Sequence, residues 1–228
     1  TLFVFTNNSM ITSNILLTGG AGYIGSHTAF LLKQAGFQPI VLDDLCHGHE
    51  WAVKYGPLVK GDIGDAACIQ TLCHQYKPAA IIHFAAFAEV AESVREPEKY
   101  FNNNFHKARI LFDTALASGV NKVVFSSTAA VYGIPQHNGL ITENDPLQPI
   151  NPYGASKLAT ENYLREKGAI CAVALRYFNA AGAAPAEGLG EAHEPESHLI
   201  PNTILAGLGQ KPPLQVFGTD YPTPDGTA

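Results

Sequence analysis

From Asn14 onward, short unbroken apolar runs alternate with longer segments whose apolar positions recur at helical spacing. The runs NILLTG (14–19), QPIVLDD (38–44), PLVKGD (57–62), AAIIHFAA (79–86), NKVVFSS (121–127) and ICAVALRY (170–177) have strand length. They lack the polar alternation of a half-exposed strand, as expected when helices cover both faces of a sheet. Between them, GYIGSHTAFLLKQAG (22–36), DAACIQTLCHQYK (65–77), EKYFNNNFHKARILFDTALASG (98–119) and YGASKLATENYLREKG (153–168) predict four helices. Three of these end on a glycine in the capping position, at Gly36, Gly119 and Gly168. Strand–helix alternation of this kind predicts an α/β fold with a doubly wound parallel sheet.

After about Phe178 the alternation fails, and glycine, alanine and proline accumulate in AAGAAPAEGLGEAHEPES. The expected organisation is an N-terminal extension (1–13), a dinucleotide-binding domain (14–178) and part of a smaller, substrate-facing region (179–228). The only methionine is Met10, so residues 1–9 are expected to precede the natural start. At the other end a strand-like LQVFG (214–218) runs into GTDYPTPDGTA without a closing element.

Composition narrows the function classes. At 228 residues, 46% apolar and 15% charged, the chain has the makings of a globular protein of one or two domains. A net charge of -6 gives no electrostatic reason to expect nucleic acid as partner. No apolar run has the length of a membrane span, and TLFVFTNNS lacks the basic start and long apolar stretch of a signal peptide. The four cysteines, Cys46, Cys68, Cys73 and Cys171, fit neither a disulfide framework nor a zinc site, which predicts reduced thiols and a cytoplasmic setting. Cys46, His47 and His49 sit together on a glycine-bearing loop, but without a second ligand cluster at a recognised spacing, so no metal is expected.

Chemistry gathers at the ends of the predicted strands. TGGAGYIGSH follows the first strand and opens the first helix, with Gly19, Gly22 and Gly25 at three-residue intervals. Missing side chains there let backbone approach a pyrophosphate, whose charge then meets the positive end of the helix. Asp43 and Asp44 end the second strand about twenty residues on, where an acidic group meets ribose hydroxyls and repels a 2′-phosphate, which favours NAD over NADP. Asp62 closes the third run, placed either to reach the adenine edge or to cap the strand end. Ala85 and Ala86 keep the end of the fourth run small, and His83 is expected to be packed within it.

NPYGASKLATENYLREK (151–167) holds a tyrosine four residues before a lysine twice, as Tyr153 with Lys157 and Tyr163 with Lys167. Spacing alone does not choose, since chance alone gives about 0.4 such pairs in a chain of this composition. Position does. The fifth strand ends in Ser126, Ser127 and Thr128, and Tyr153 opens the next helix behind Pro152, with Lys157 one turn along on the same face. A free phenol has a pKa of about 10, and a nearby ammonium together with a cationic nicotinamide ring is expected to lower it. Thr128, Tyr153 and Lys157 can then take a proton from a sugar hydroxyl as hydride leaves for NAD. Tyr163 is turned about 80° away at the far end of the helix and is expected to serve packing.

TGGAGYIGSH, HFAA, AESVREPEKYFNNN, VVFSSTAAVYG, NPYGASK, LRYFNAAG, HLIPN and VFGTDYPTPDG together resemble the extended short-chain dehydrogenase/reductase family, and within it the UDP-sugar 4-epimerases. The resemblance runs from about Ile15 to the C-terminus. It implies a Rossmann-like domain with NAD that stays bound, a UDP-sugar substrate, a transient 4-keto sugar that turns within the site, and a homodimer as a possible assembly. Carried over by position, it gives Thr128 and Tyr153 catalytic roles and has Lys157 bind the ribose and tune Tyr153. Tyr23, Ile24, Asp43, Asp62, Ile63, Phe84, Asn103 and Phe178 match cofactor contacts. Asn179, His198, Leu199, Gln215, Val216 and Phe217 match substrate contacts, with Asn179, His198 and Leu199 near the phosphates and Val216 and Phe217 beside uracil.

The resemblance has two departures. Ala88 stands where many members carry a lysine that reaches the pyrophosphate. Family members also continue well past TPDGT, with an arginine for the diphosphate and one wall of the sugar site. Related readings are a 4-epimerase of another UDP-sugar, a 4,6-dehydratase, which the Ala129-Ala130 pair after Thr128 disfavours, and a non-catalytic NAD-binding fragment.

Overall fold

The structure is a computed structural model and describes residues 13–137, 140–216, 218–221 and 223–226. The elements in chain order are β1 (Asn14–Thr18), α1 (Tyr23–Gln34), β2 (Gln38–Asp43), β3 (Leu58–Lys60), α2 (Ala66–Tyr76), β4 (Ala80–His83), α3 (Val90–Arg95), α4 (Pro97–Phe101), α5 (Ala108–Ala117), β5 (Lys122–Thr128), α6 (Pro152–Glu166), β6 (Cys171–Tyr177) and α7 (Leu199–Gly207). Six strands form one parallel sheet in the order β3-β2-β1-β4-β5-β6, so the chain reverses its direction of winding between β1 and β4. All six predicted runs contain a strand.

Thr18 pairs with Leu42 on one side and His83 on the other, and Thr128 pairs with Tyr177. This register lines up the carboxyl ends of the strands, so the loops after β1, β2, β4 and β5 open on one edge. In an open α/β sheet the crevice at such a reversal is the place where ligands bind. The inner strands are apolar along their length because both faces are covered: Leu16, Ile40, Leu42, Ile81 and Phe125 pack with Ile69, Leu72, Leu111, Phe112 and Leu164 from the helices. At the rim β6 has no further strand beside it, and it leaves Val173 and Leu175 exposed.

The three predicted glycine stops hold, with positive φ at Gly36, Gly119 and Gly168. Helix α2 instead ends on Lys77 at φ 47°, an uncommon conformation for a residue with a side chain. Two expectations need correction. The single helix over 98–119 is three pieces, α4, a π-helical turn over Asn102–Lys107 and α5, because the buried carboxamide of Asn104 is used to hold a neighbouring loop. The strand-like LQVFG forms no strand over its described residues 214–216 and 218, which pair with no neighbouring strand. β-Branched and aromatic content alone does not make a strand without a partner edge.

Candidate active site

The turn after β1 is built by contact. Gly19 has φ +71°, and a Cβ on it would lie 2.5 Å from the Ala85 nitrogen; a Cβ on Gly25 would lie 2.2 Å from the Gly19 carbonyl oxygen. Neither position has room for a side chain, so the start of α1 is held tight against the ends of β1 and β4. Gly22 caps α1 without any side-chain hydrogen bond, which leaves the first N–H groups of the helix facing the cleft. Tyr23 of α1 and His47, His49 and Trp51 of the segment after β2 line this cleft. Ala192 and His193 line it as well, with the Ala192 carbonyl meeting the His49 ring.

Asp43 sits at the end of β2 with one oxygen accepting from the Ala21 N–H at 3.0 Å and the other from the Leu45 N–H at 2.9 Å. Burial raises its pKa, against the lowering effect of these two bonds. The carboxylate thus ties the β2 loop to the glycine turn. Asp62 accepts from the Gly64 N–H at 2.7 Å and pairs with Lys107. Burial would raise its pKa, but Lys107 and Gly64 hold it below the usual value. Of its two expected roles, the strand-end cap is therefore the one that shows in direct contacts.

His83 is packed as expected, 1% exposed, with Nδ1 2.6 Å from the Thr18 hydroxyl and its ring stacked on Phe125. Burial first, then the Lys157 charge, pushes its pKa down to about 3, so it stays neutral.

The hydroxyl of Thr128 accepts from the Ala130 N–H at 3.1 Å, and its side chain also meets the phenol of Tyr153. Helix α6 starts where the Asn151 side chain accepts from the Gly154 N–H at 2.8 Å, which sets Tyr153 in its first turn and faces it toward the end of β5. The ring of Tyr100 packs edge-on against Tyr153 at 6.4 Å. One turn further along α6, Lys157 is 3% exposed, donates to the Ser126 carbonyl at 2.8 Å and lies 5.1 Å from the centre of the Phe125 ring. Burial pushes its pKa down to about 7.

The lowering expected from the Lys157 ammonium finds no support among the protein's own groups. The Tyr153 phenol is raised, by burial first, with only the Thr128 hydrogen bond acting the other way. The Lys157 amine is turned toward the Ser126 carbonyl.

A buried cluster supports this arrangement, and sequence reasoning missed it. Glu161, one turn beyond Lys157, accepts from the Ser127 hydroxyl and from Arg176 Nε at 3.0 Å and Nη2 at 2.7 Å. Arg176 Nη1 donates to the Tyr132 hydroxyl at 2.8 Å. Four elements, β5, the turn after it, α6 and β6, are thereby joined beneath Thr128. The available signal was a glutamate four residues after Lys157, on the same helical face. Asn104 plays a parallel part: it exchanges two hydrogen bonds with the Phe87 backbone, both 2.9 Å, and donates to the Ser156 hydroxyl at 3.2 Å.

Other expected site residues are more scattered. Tyr23, Ile24, Phe84, Ala85, Ala86 and Asn103 are half-buried along the strand-end edge, and the Tyr23 hydroxyl donates to the Gly182 carbonyl at 2.6 Å. The Ile63 side chain belongs to the core below the cleft. Phe178, Asn179, His198, Leu199, Gln215 and Val216 are exposed, and Phe217 lies outside the described residues. The second pair, Tyr163 and Lys167, converges on Asp113 of α5, away from the strand ends.

Residues 15–228 match the NAD dependent epimerase/dehydratase family. The chain is 48% identical to the UDP-glucose 4-epimerase of Rhizobium meliloti (strain 1021), over 96% of this chain and 67% of that protein. It is 47% identical to that of Azospirillum brasilense, over 97% and 65%. Among solved structures it is similar to the UDP-glucose 4-epimerase of Brucella ovis in complex with NAD, with TM-score 0.90 and 46% identity over 93% of this chain and 66% of that one. It is also similar to the enzyme of Bifidobacterium longum in complex with NAD+ and UDP, with TM-score 0.88 and 35% identity over 94% and 68%. The chain thus spans about two thirds of the length of the relatives it matches.

Proposed function

We propose, on the premise that this chain belongs to the NAD dependent epimerase/dehydratase family, that it carries the cofactor site and the catalytic groups of an NAD-dependent 4-epimerase of a UDP-hexose, interconverting UDP-galactose and UDP-glucose. The placement of Tyr153 in the first turn of α6, with Lys157 one turn on and held at the Ser126 carbonyl of the strand that ends in Thr128, is the observation that carries this reading. The residues fit a dinucleotide, since the space that a Cβ on Gly19 or Gly25 would need is already filled by backbone and the first N–H groups of α1 have no side-chain cap. Gly19, Gly22, Tyr23, Ile24 and Gly25 would hold the pyrophosphate side and Asp43 the adenosine ribose. Asp62, Ile63, Phe84, Ala85, Ala86, Asn103 and Phe178 would complete the wall. When bound, NAD supplies the acceptor and the donor of a hydride at sugar C4.

The side chains do the proton chemistry. Tyr153 takes the proton of the sugar 4-hydroxyl and returns it, with Thr128 orienting that hydroxyl by hydrogen bonding. The raised phenol pKa makes Tyr153 a good acid and a weak base, so the positive charge of the cofactor is what would tip it toward accepting a proton. Lys157, fixed by the Ser126 carbonyl, is placed to bind the nicotinamide ribose and to acquire its proton where charge is favoured. Asn179, His198, Leu199, Gln215, Val216 and Phe217 would meet the UDP portion. The reading also makes a homodimer and a cytoplasmic setting the expected context, supported for the latter by four unpaired cysteines.

Because the chain spans about two thirds of its relatives, a cofactor-binding fragment is the second reading. The deciding measurement is UDP-galactose conversion together with bound NAD on the same sample, for this chain and for a version extended by the C-terminal third of a relative. Conversion by this chain supports the epimerase reading, whereas NAD bound by this chain with conversion only by the extended version supports the cofactor-binding fragment. NAD bound by both without conversion by either overturns it.

A further inference from the structure

Two histidines and two carboxylates meet in the segment after β6, where the spacing reads Glu191-x-His193-x-x-Glu196-x-His198. One ligand atom from each lies within 4.8 Å of all the others. Glu191 Oε1 is 3.3 Å from His193 Nδ1 and 2.9 Å from His198 Nδ1, and Glu196 Oε1 is 2.8 Å from His198 Nδ1. A tetrahedral zinc ion with bonds of about 2.0–2.1 Å holds its ligand atoms about 3.3 Å apart, so this group stands near the required separation before any ion draws it in.

Hydrogen bonding does not fully account for the group. His193 Nδ1 is buried and has no hydrogen-bond partner, although Glu191 Oε1 lies close by, out of hydrogen-bond geometry. A cation shared between the His193 nitrogen and the Glu191 carboxylate would give both atoms a partner. The two carboxylates supply two negative charges, the charge that one divalent ion offsets.

The supporting shell is also in place. The His49 ring meets the Ala192 carbonyl at 2.6 Å, Lys211 donates to the Glu196 carbonyl at 3.1 Å, and Ala184 and Leu189 form an antiparallel bridge ahead of the cluster. These bonds fix the backbone on which three of the ligands stand, as outer partners do in metal sites.

The geometry points to a structural zinc site formed by Glu191, His193, Glu196 and His198, which clips the segment after β6 over the mouth of the dinucleotide cleft. Four protein ligands fill a tetrahedron and leave no open position, which makes the role structural. Two imidazoles among the ligands favour zinc over magnesium or calcium, which take oxygen ligands. His193 also lines the cleft that contains Gly22 and Tyr23, so the ion would hold that wall at a fixed distance from the glycine turn. In this assignment the His198 ring serves the metal, and only its backbone is left for a phosphate. The inference does not depend on the proposed reaction.

The test is metal content. The purified chain is stripped with a chelator, loaded with zinc chloride and dialysed, and zinc is counted by mass spectrometry alongside His193→Ala and Glu196→Gln. About one zinc per chain is expected, with at least a tenfold loss of bound zinc in both variants and a fall in Tm of about 5 °C when the wild type is stripped. Far-UV circular dichroism identifies any variant that has failed to fold, and the other variant then decides. Zinc below about one tenth per chain, zinc unchanged in the folded variants, or zinc lost instead from a Cys46→Ala/His47→Ala variant overturns the assignment.

Discussion

Helix α6 carries the same tyrosine-lysine spacing at both ends, and the two pairs meet different surroundings. At the N-terminal end, Tyr153 is half-buried beside Thr128 and Lys157 is sealed in with a backbone carbonyl as its hydrogen-bond partner. At the C-terminal end, Tyr163 and Lys167 both donate to Asp113, and Lys167 stays partly exposed. One pair has a carboxylate that satisfies it; the other has none. The lysine without a counterion is pushed down by burial to about 7, while the one beside Asp113 is raised, first by the hydrogen bond to that carboxylate. Identical spacing therefore yields a buried pair without a carboxylate partner at one end and a fastening at the other, and the deciding factor is where each end lies relative to the sheet's carboxyl edge.

The largest effect that could break this comparison is on catalysis. In a chain extended to full activity, Tyr153→Phe is expected to lower kcat about a thousandfold while NAD still binds, measured by UDP-galactose turnover and cofactor content. A loss below tenfold would remove the distinction between the pairs.

Next in size is a pH effect on stability without cofactor. An unfolded lysine keeps its proton to about pH 10.4, whereas folded Lys157 releases it near 7. Between those values the unfolded chain binds more protons, so the Lys157 contribution to stability rises with pH, by up to about 1.4 kcal/mol per unit. Lys157→Met should flatten the rise in urea midpoint between pH 7 and 9, and parallel curves for the two proteins would refute the buried, uncompensated amine. The smallest effect is expected from Tyr163→Phe. Losing one phenol–carboxylate bond at a partly exposed site should lower stability by less than about 1 kcal/mol and leave turnover within twofold.

Much of the frame was legible because both sheet faces are covered, which makes each strand an unbroken apolar run that stands out without alternation. The glycine turn, Thr128 and Tyr153 were legible because they occur where runs end. Several other features were not. Helix α7 has no buried residue, so no apolar face stood out from its mainly apolar sequence, although Pro201 in its first turn is compatible with a helix start. The join between Glu161 and Arg176 spans two elements, and periodicity reports only on neighbours along one. The direction of the Tyr153 shift is set by burial, which residue spacing does not report. The Glu191–His198 group was hidden for a simpler reason: its ligands alternate with alanine, proline and serine in a stretch that reads as irregular.

The π-helical turn over Asn102–Lys107 has a consequence for how this protein can change length. Each residue added to a helix rotates everything after it by about 100°, so most single-residue insertions would swing α5 off the core. Here the surplus has already been absorbed as a widened turn, which leaves α4 facing α6 and α5 facing α2. The same turn is thus the place where one residue could be removed with the helix axis continuing, but its loss would re-phase Asn104 against Phe87 and unfasten the loop after β4. Length at this point is fixed by a side chain's hydrogen bonds and not by the helix that contains it.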